Sequence, residues 1–116
     1  MKTNFKLRVF SILVLLFAFA GTINAQVVYK VDSKYDADIK VYVASSKYDA
    51  DLVVYEVSSK YDADKDGLWF FCDSKYDAKK KVYFVDSKYD ADLIIFFADS
   101  KYDAGWVNNS KQHLLK

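Results

Sequence analysis

One pentapeptide, Ser-Lys-Tyr-Asp-Ala, occurs six times without variation, starting at Ser33, Ser46, Ser59, Ser74, Ser87 and Ser100. Successive starts lie 13, 13, 15, 13 and 13 residues apart. That series reads the same from either end: three units, a two-residue insertion, three units. It predicts two similar halves related by a pseudo-twofold axis. The longer link, Asp64-Lys65-Asp66-Gly67, carries the Asp-Gly pair that favours a turn. The segment from Gly105 to Lys111 reads as a shortened seventh unit, because terminal repeats face solvent on one side and drift.

A unit of this length is too short for the helix pairs of most solenoids. Each unit instead holds one stretch of β-branched and aromatic residues, such as Leu52-Val53-Val54-Tyr55-Glu56-Val57, which favours a strand of ordinary length. The chain therefore reads as strand and turn six times over. Aligning the units on the motif serine gives columns with physical content. Four residues before it stand Tyr29, Tyr42, Tyr55, Phe70, Tyr83 and Phe96, always aromatic. Two before it stand Val31, Ala44, Val57, Cys72, Val85 and Ala98, always small and apolar. These two columns share one strand face, since side chains alternate with period two. Five before it stand Val28, Val41, Val54, Trp69, Val82 and Ile95, on the opposite face yet again apolar. The strand centres should thus be covered on both sides. Three before it stand Lys30, Val43, Glu56, Phe71, Phe84 and Phe97, and the change to aromatic in the second half suggests a distinct outer face there.

Within the motif, Ser and Asp can bond nearby backbone amides and so build turns in a chain with no proline and three glycines. The invariant Tyr35, Tyr48, Tyr61, Tyr76, Tyr89 and Tyr102 are expected to pack flat with their hydroxyls outward. The invariant Ala37, Ala50, Ala63, Ala78, Ala91 and Ala104 imply close approach of neighbouring chain. Ser, Lys, Tyr and Asp are all catalytic residue types, but six equivalent copies single out no unique constellation, so no catalytic residue is assigned. Asp62, Asp64, Asp66 and Gly67 spell the start of a calcium loop, with Asp73 at its twelfth position. Strand flanks, a short aspartate at the last position, and the repeat's own Asp-Ala-Asp favour a plain inter-half turn over a weak calcium site. Cys72 and Trp69 fall in apolar columns and read as core, and His113 has no second histidine for a metal. No cofactor is expected.

Residues 1–25 differ from the rest. Lys2, Lys6 and Arg8 precede an apolar run from Val9 to Ala20 broken only by Ser11, and small residues follow up to Ala25. This is the three-part pattern of a secretory signal cleaved after Ala25, and the run is too short for a spanning helix. The remaining domain, residues 26–116, contains no segment apolar enough to span a membrane. It loses three bases and no acid, so the formal charge falls from +1 to −2, and it has no arginine. A nucleic-acid partner is therefore excluded on charge, and a single cysteine excludes an intramolecular disulfide.

Tandem units that pair a Ser-Lys-Tyr-Asp-Ala-Asp turn with an aromatic strand resemble the bacterial septoil-knot domain family, formerly a domain of unknown function. The resemblance runs from about Val27 to the C-terminus. The fourth unit departs from it at Lys79 and the sixth at Gly105. It implies an all-β fold, a two-layer β-domain whose chain is tied in a seven-crossing torus knot, and it brings no binding or catalytic residues. The palindromic spacing is compatible with two halves intertwined within such a domain, and an open β-solenoid of stacked rungs is the structural alternative. The leading functional expectation is an exported, periplasmic or secreted, non-catalytic structural or interaction module, monomeric. The second is a module binding a glycan or envelope polymer through an aromatic face at Phe71, Phe84 and Phe97 or through the tyrosine rows. The third is a self-assembling β subunit. An enzyme ranks last.

Overall fold

The computed structural model describes residues 26–116, and the expected signal sequence lies outside the described residues. Strands β1 (Gln26–Lys30), β2 (Ile39–Val43), β3 (Leu52–Glu56), β4 (Leu68–Phe71), β5 (Lys80–Phe84), β6 (Leu93–Phe97) and β7 (Gly105–Trp106) are joined by short 3-10 turns, except between β4 and β5, where the link is a turn of another kind. The first six strands are all parallel, in the order β4-β1-β5-β2-β6-β3, and β3 pairs back onto β4. The sheet is a closed six-stranded barrel. Every interface joins a strand of the first half to a strand of the second.

The register explains how such short units achieve this. Each strand is displaced by two residues from its neighbour at every interface. Lys30, the last residue of β1, lies level with Val82 in the middle of β5, and Val82 lies level with Ile39, the first residue of β2. The same relation links Val43, Ile95 and Leu52, then Phe71, Val28 and Lys80, then Phe84, Val41 and Leu93. A parallel connection normally needs a dozen or more residues to return to the start of the next strand. Here the stagger removes the return journey. Eight residues only have to step sideways over one intervening strand, about 10 Å. That strand always belongs to the other half.

The turns therefore clasp the opposite half. The turn at Lys47–Asp49, between β2 and β3, packs on β6, and the turn at Lys88–Asp90, between β5 and β6, packs on β2. The stagger is fixed by backbone bonds of one kind. Val31, Ala44, Val57, Cys72, Val85 and Ala98 each donate N–H to a carbonyl of the adjacent strand, at 2.7–2.9 Å. The second aspartate of the Asp-Ala-Asp sequence adds a two-way clamp. Asp38 donates its N–H to the Lys81 carbonyl at 2.8 Å and accepts the Lys81 N–H on its carboxylate at 2.8 Å. Asp51 with Ile94 and Asp92 with Lys40 repeat this pair of bonds. Lys79 keeps only the backbone half, donating to the Val27 carbonyl.

Closure decides which face is the core. Val28, Val41, Val54, Trp69, Val82 and Ile95 fill the barrel and are at most 1% exposed, joined by Ile39, Leu52 and Leu93. Trp69 is the largest fully buried side chain. The aromatic and small columns face outward, half-buried or buried beneath the turns. A second apolar cluster of Val57, Ala63 and Leu68 lies outside β3 and β4, under the inter-half link. Trp106, Leu114 and Leu115 pack against the core from the tail. Their segment, β7 and the 3-10 helix Asn109–Leu115, lies at the strand starts, held by Val107 and Asn108 N–H bonds to the Asp51 carbonyl.

Three expectations are corrected. The sheet is a closed barrel, neither two layers nor an open solenoid, because the units of one half are spaced apart by the other. The halves are related by a one-strand step round the barrel and not by a twofold axis, since β1, β2 and β3 map onto β4, β5 and β6 by that step. The tail is not a seventh parallel unit, since β7 runs antiparallel on β3. The inter-half link is a turn as expected. Gly67 there has φ +93°, and a Cβ would sit 2.7 Å from the Val53 carbonyl oxygen, so this position requires glycine. No helix among the described residues is long and apolar enough to cross a membrane.

Replacing Trp69 by Ala should cost about 3–5 kcal/mol by leaving a cavity at the centre of the barrel. Replacing the exposed Tyr35 by Ala should change stability by less than about 0.5 kcal/mol. Urea denaturation of the two variants checks this contrast, and equal losses would contradict the assignment of the inner face.

Candidate functional site

The motif builds a 3-10 turn in five of its copies, and in the fourth, Lys75–Asp77, a turn without the Ala N–H to Lys carbonyl bond of the others. Ser33, Ser46, Ser59, Ser74, Ser87 and Ser100 each accept the backbone N–H of the tyrosine two residues on, at 3.3 Å. This is serine's usual capping role and needs neither proline nor glycine. The motif lysine lies over its own tyrosine ring in all six copies, 5.4–5.6 Å from the centroid. The six tyrosines do not pack flat on the barrel as expected. They are 81–87% exposed, because the ring is directed away from the strands that the turn covers. Ala50 and Ala63 are buried and Ala37, Ala78, Ala91 and Ala104 are half-buried, in keeping with close packing at the turn exits.

The aromatic outer face expected at Phe71, Phe84 and Phe97 is not formed. These residues are level with Val28, Val41 and Val54 and share the inner face with them. They are half-buried and pack against the core at the strand ends. Phe71 meets Trp69 edge-on at 6.1 Å and lies 6.4 Å from Phe84, over whose ring Lys30 Nζ sits at 5.7 Å. Period-two alternation separated the columns correctly but did not say which column faced in.

The calcium-like aspartates are not brought together either. Among the described residues no group of three or more acidic, histidine or cysteine side chains could hold a metal ion. Asp62, Asp64 and Asp73 are exposed, and both carboxylate oxygens of Asp66 are used within the protein. Asp66 Oδ1 accepts Gln26 Nε2 at 2.9 Å and Oδ2 accepts Trp106 Nε1 at 2.8 Å. Gln26 completes this network. Its Oε1 accepts Trp69 Nε1 at 2.7 Å and Gly67 N–H at 2.9 Å, and its own N–H donates to the Ala63 carbonyl at 3.1 Å. Gln26 is buried at 6% exposure and ties the first strand, the inter-half link and the tail together. Its column places it opposite lysine and apolar residues, so only the register revealed it. Cys72 is half-buried on the outer face, with its thiol donating to the Ser74 carbonyl at 3.1 Å.

The barrel interior is filled, so any surface for a ligand lies outside. The clasping turns leave grooves between them. One, of about 300 Å³, has Tyr29 as its aromatic wall, with Asp32, Ser33 and Asp36 on one side and Lys75 and Lys81 on the other. Its equivalent, of about 320 Å³, has Tyr83 with Asp86, Ser87 and Asp90, facing Lys34 and Lys40. Tyr42 and Tyr55 occupy the same place in two larger grooves of about 430 and 390 Å³.

A parallel barrel made of strand–turn units from two interleaved half-chains defines the class of protein. The family model for the 7(1) septoil knot domain matches residues 25–107, most of the chain, and the chain belongs to that family. No curated protein and no solved structure matches it significantly.

Replacing Gln26 by Ala should cost about 1–3 kcal/mol, because the buried indole N–H of Trp69 and the Gly67 N–H lose their acceptor together. Thermal denaturation checks it, and an unchanged midpoint would show that the network carries no stability.

Proposed function

We propose that the protein is an exported, non-catalytic structural module, threaded as the seven-crossing knot after which its family is described. Its role is to persist under conditions that unfold or digest ordinary small domains. The observation that carries this reading is the alternation of the two halves round the barrel. The chain advances two strand positions at each of four crossovers and one at the inter-half link, always in the same sense. A strand of one half cannot leave the sheet until the turn of the other half that clasps it has been moved. Such a path raises the barrier to unfolding, and a high barrier sets lifetime independently of equilibrium stability.

A non-catalytic role is supported by the side chains of the six turns, which present the same exposed Lys, Tyr and Asp in every copy, although the fourth turn lacks the Ala N–H to Lys carbonyl bond of the other five. Monomeric behaviour is favoured by closure, because the six parallel strands are each paired on both sides and only the two-residue β7 is left with a free edge. Export rests on the three-part sequence of residues 1–25. Secretion in a bacterial host should yield a product whose intact mass begins at Gln26, and a product retaining Met1 would contradict it.

Stretching the folded chain from its two ends should give a contour length short of the roughly 3.3–3.6 Å per residue of a fully extended chain, because a tightened knot retains residues. Native proteolysis should proceed over days, set by slow opening. A full contour length with digestion within minutes would overturn the threaded reading.

A further inference from the structure

The motif offers an internal comparison. Strand positions drift from unit to unit, while the turn keeps Lys, Tyr and Asp unchanged in six copies. Serine caps the turn and alanine packs. Lysine, tyrosine and the first aspartate are exposed in every copy and hold no strand in place. Within the turn their contact is that of each lysine with its own tyrosine ring.

We propose that the grooves at Tyr29 and Tyr83 are adjacent subsites for an uncharged, linear polysaccharide. Each groove contains one half-buried tyrosine ring, one serine hydroxyl, two carboxylates and two ammonium groups. The charges cancel within each groove, so neither a polyanion nor a polycation is favoured. What remains is an amphipathic flat ring surrounded by mixed donors and acceptors. Sugar hydroxyls both donate and accept, and the C–H face of a sugar ring is apolar, so a neutral glycan matches this set. The grooves adjoin, since β1 and β5 are neighbours. The turn at Lys34–Asp36 is the wall between them: Ser33 and Asp36 line the first groove and Lys34 the second. Tyr35, on that wall and 87% exposed, offers a further ring to a chain crossing from one groove to the next. Two weak sites in series on one repeating polymer gain affinity by linkage without new contacts.

The test is native electrophoresis of the purified protein, expressed from the full chain, through gels containing mannan, mixed-linkage β-glucan or pullulan, with alginate as the charged counterpart. Retardation is expected in at least one neutral polymer. The paired substitutions Tyr29→Ala and Tyr83→Ala should weaken it about tenfold, the size expected from removing two ring contacts. Lys34→Ala, at an exposed position that leaves the core untouched, should weaken it as well and keeps the test decisive if the tyrosine variant does not fold. Tyr61→Ala, away from both grooves, should not. No retardation in any neutral polymer, retardation in alginate alone, or wild-type retardation of the Lys34→Ala variant would overturn the proposal. Failure here would leave the structural reading standing, since that reading is measured by stretching and proteolysis.

Discussion

The structure depends on one geometric constraint, the two-residue stagger between neighbouring strands. It places the last residue of each strand level with the first residue of the next strand of its own half. Parallel strands are otherwise expensive to connect, and helices usually make the return. With the return removed, an eight-residue turn suffices, and the gap it spans must hold exactly one strand. That strand can only come from the other half of the chain. Interleaving is thus a consequence of the stagger combined with the shortness of the turn. The stagger also tilts the strands, and tilt is what allows a sheet to close on itself.

Closure then distributes the chemistry. The interior is filled by Val, Ile and Leu side chains with Trp69 among them, and Phe71, Phe84 and Phe97 pack against it at the strand ends. Among the described residues the core side chains that line the barrel axis are buried. The polar work is done at two levels. Asp38, Asp51 and Asp92 lock neighbouring strands, while Gln26 and Asp66 tie the first strand to the inter-half link and the tail. The motif lysines and tyrosines remain at the surface in all six turns. A repeated surface suits a repeated ligand, which is why the grooves rather than the interior carry the proposed recognition.

Much of the local structure was legible in the sequence. Six strands, six turns, the serine caps and the buried Val28, Val41, Val54, Trp69, Val82 and Ile95 follow from composition and period-two columns. The resemblance carried by the turn motif pointed to the right family. The neighbours of each strand did not follow, because a palindromic spacing is equally compatible with stacked rungs, a twofold pair or interleaved halves. The inner face was also ambiguous: both faces are apolar at the strand centres, so Phe71, Phe84 and Phe97 looked like an outer surface. The Gln26 network was hidden for a different reason. It joins residues some forty positions apart, and only the register brings them together.

If the two halves are interleaved at every interface, neither can exist as a sheet without the other. Native-state hydrogen exchange tests this most directly, because it resolves whether parts of a structure open separately. The central amides of β1, β2 and β3 should exchange with the same opening free energy as those of β4, β5 and β6, in one cooperative unit. Exchange of one half at a markedly lower free energy, with the other half still protected, would contradict the interleaved barrel.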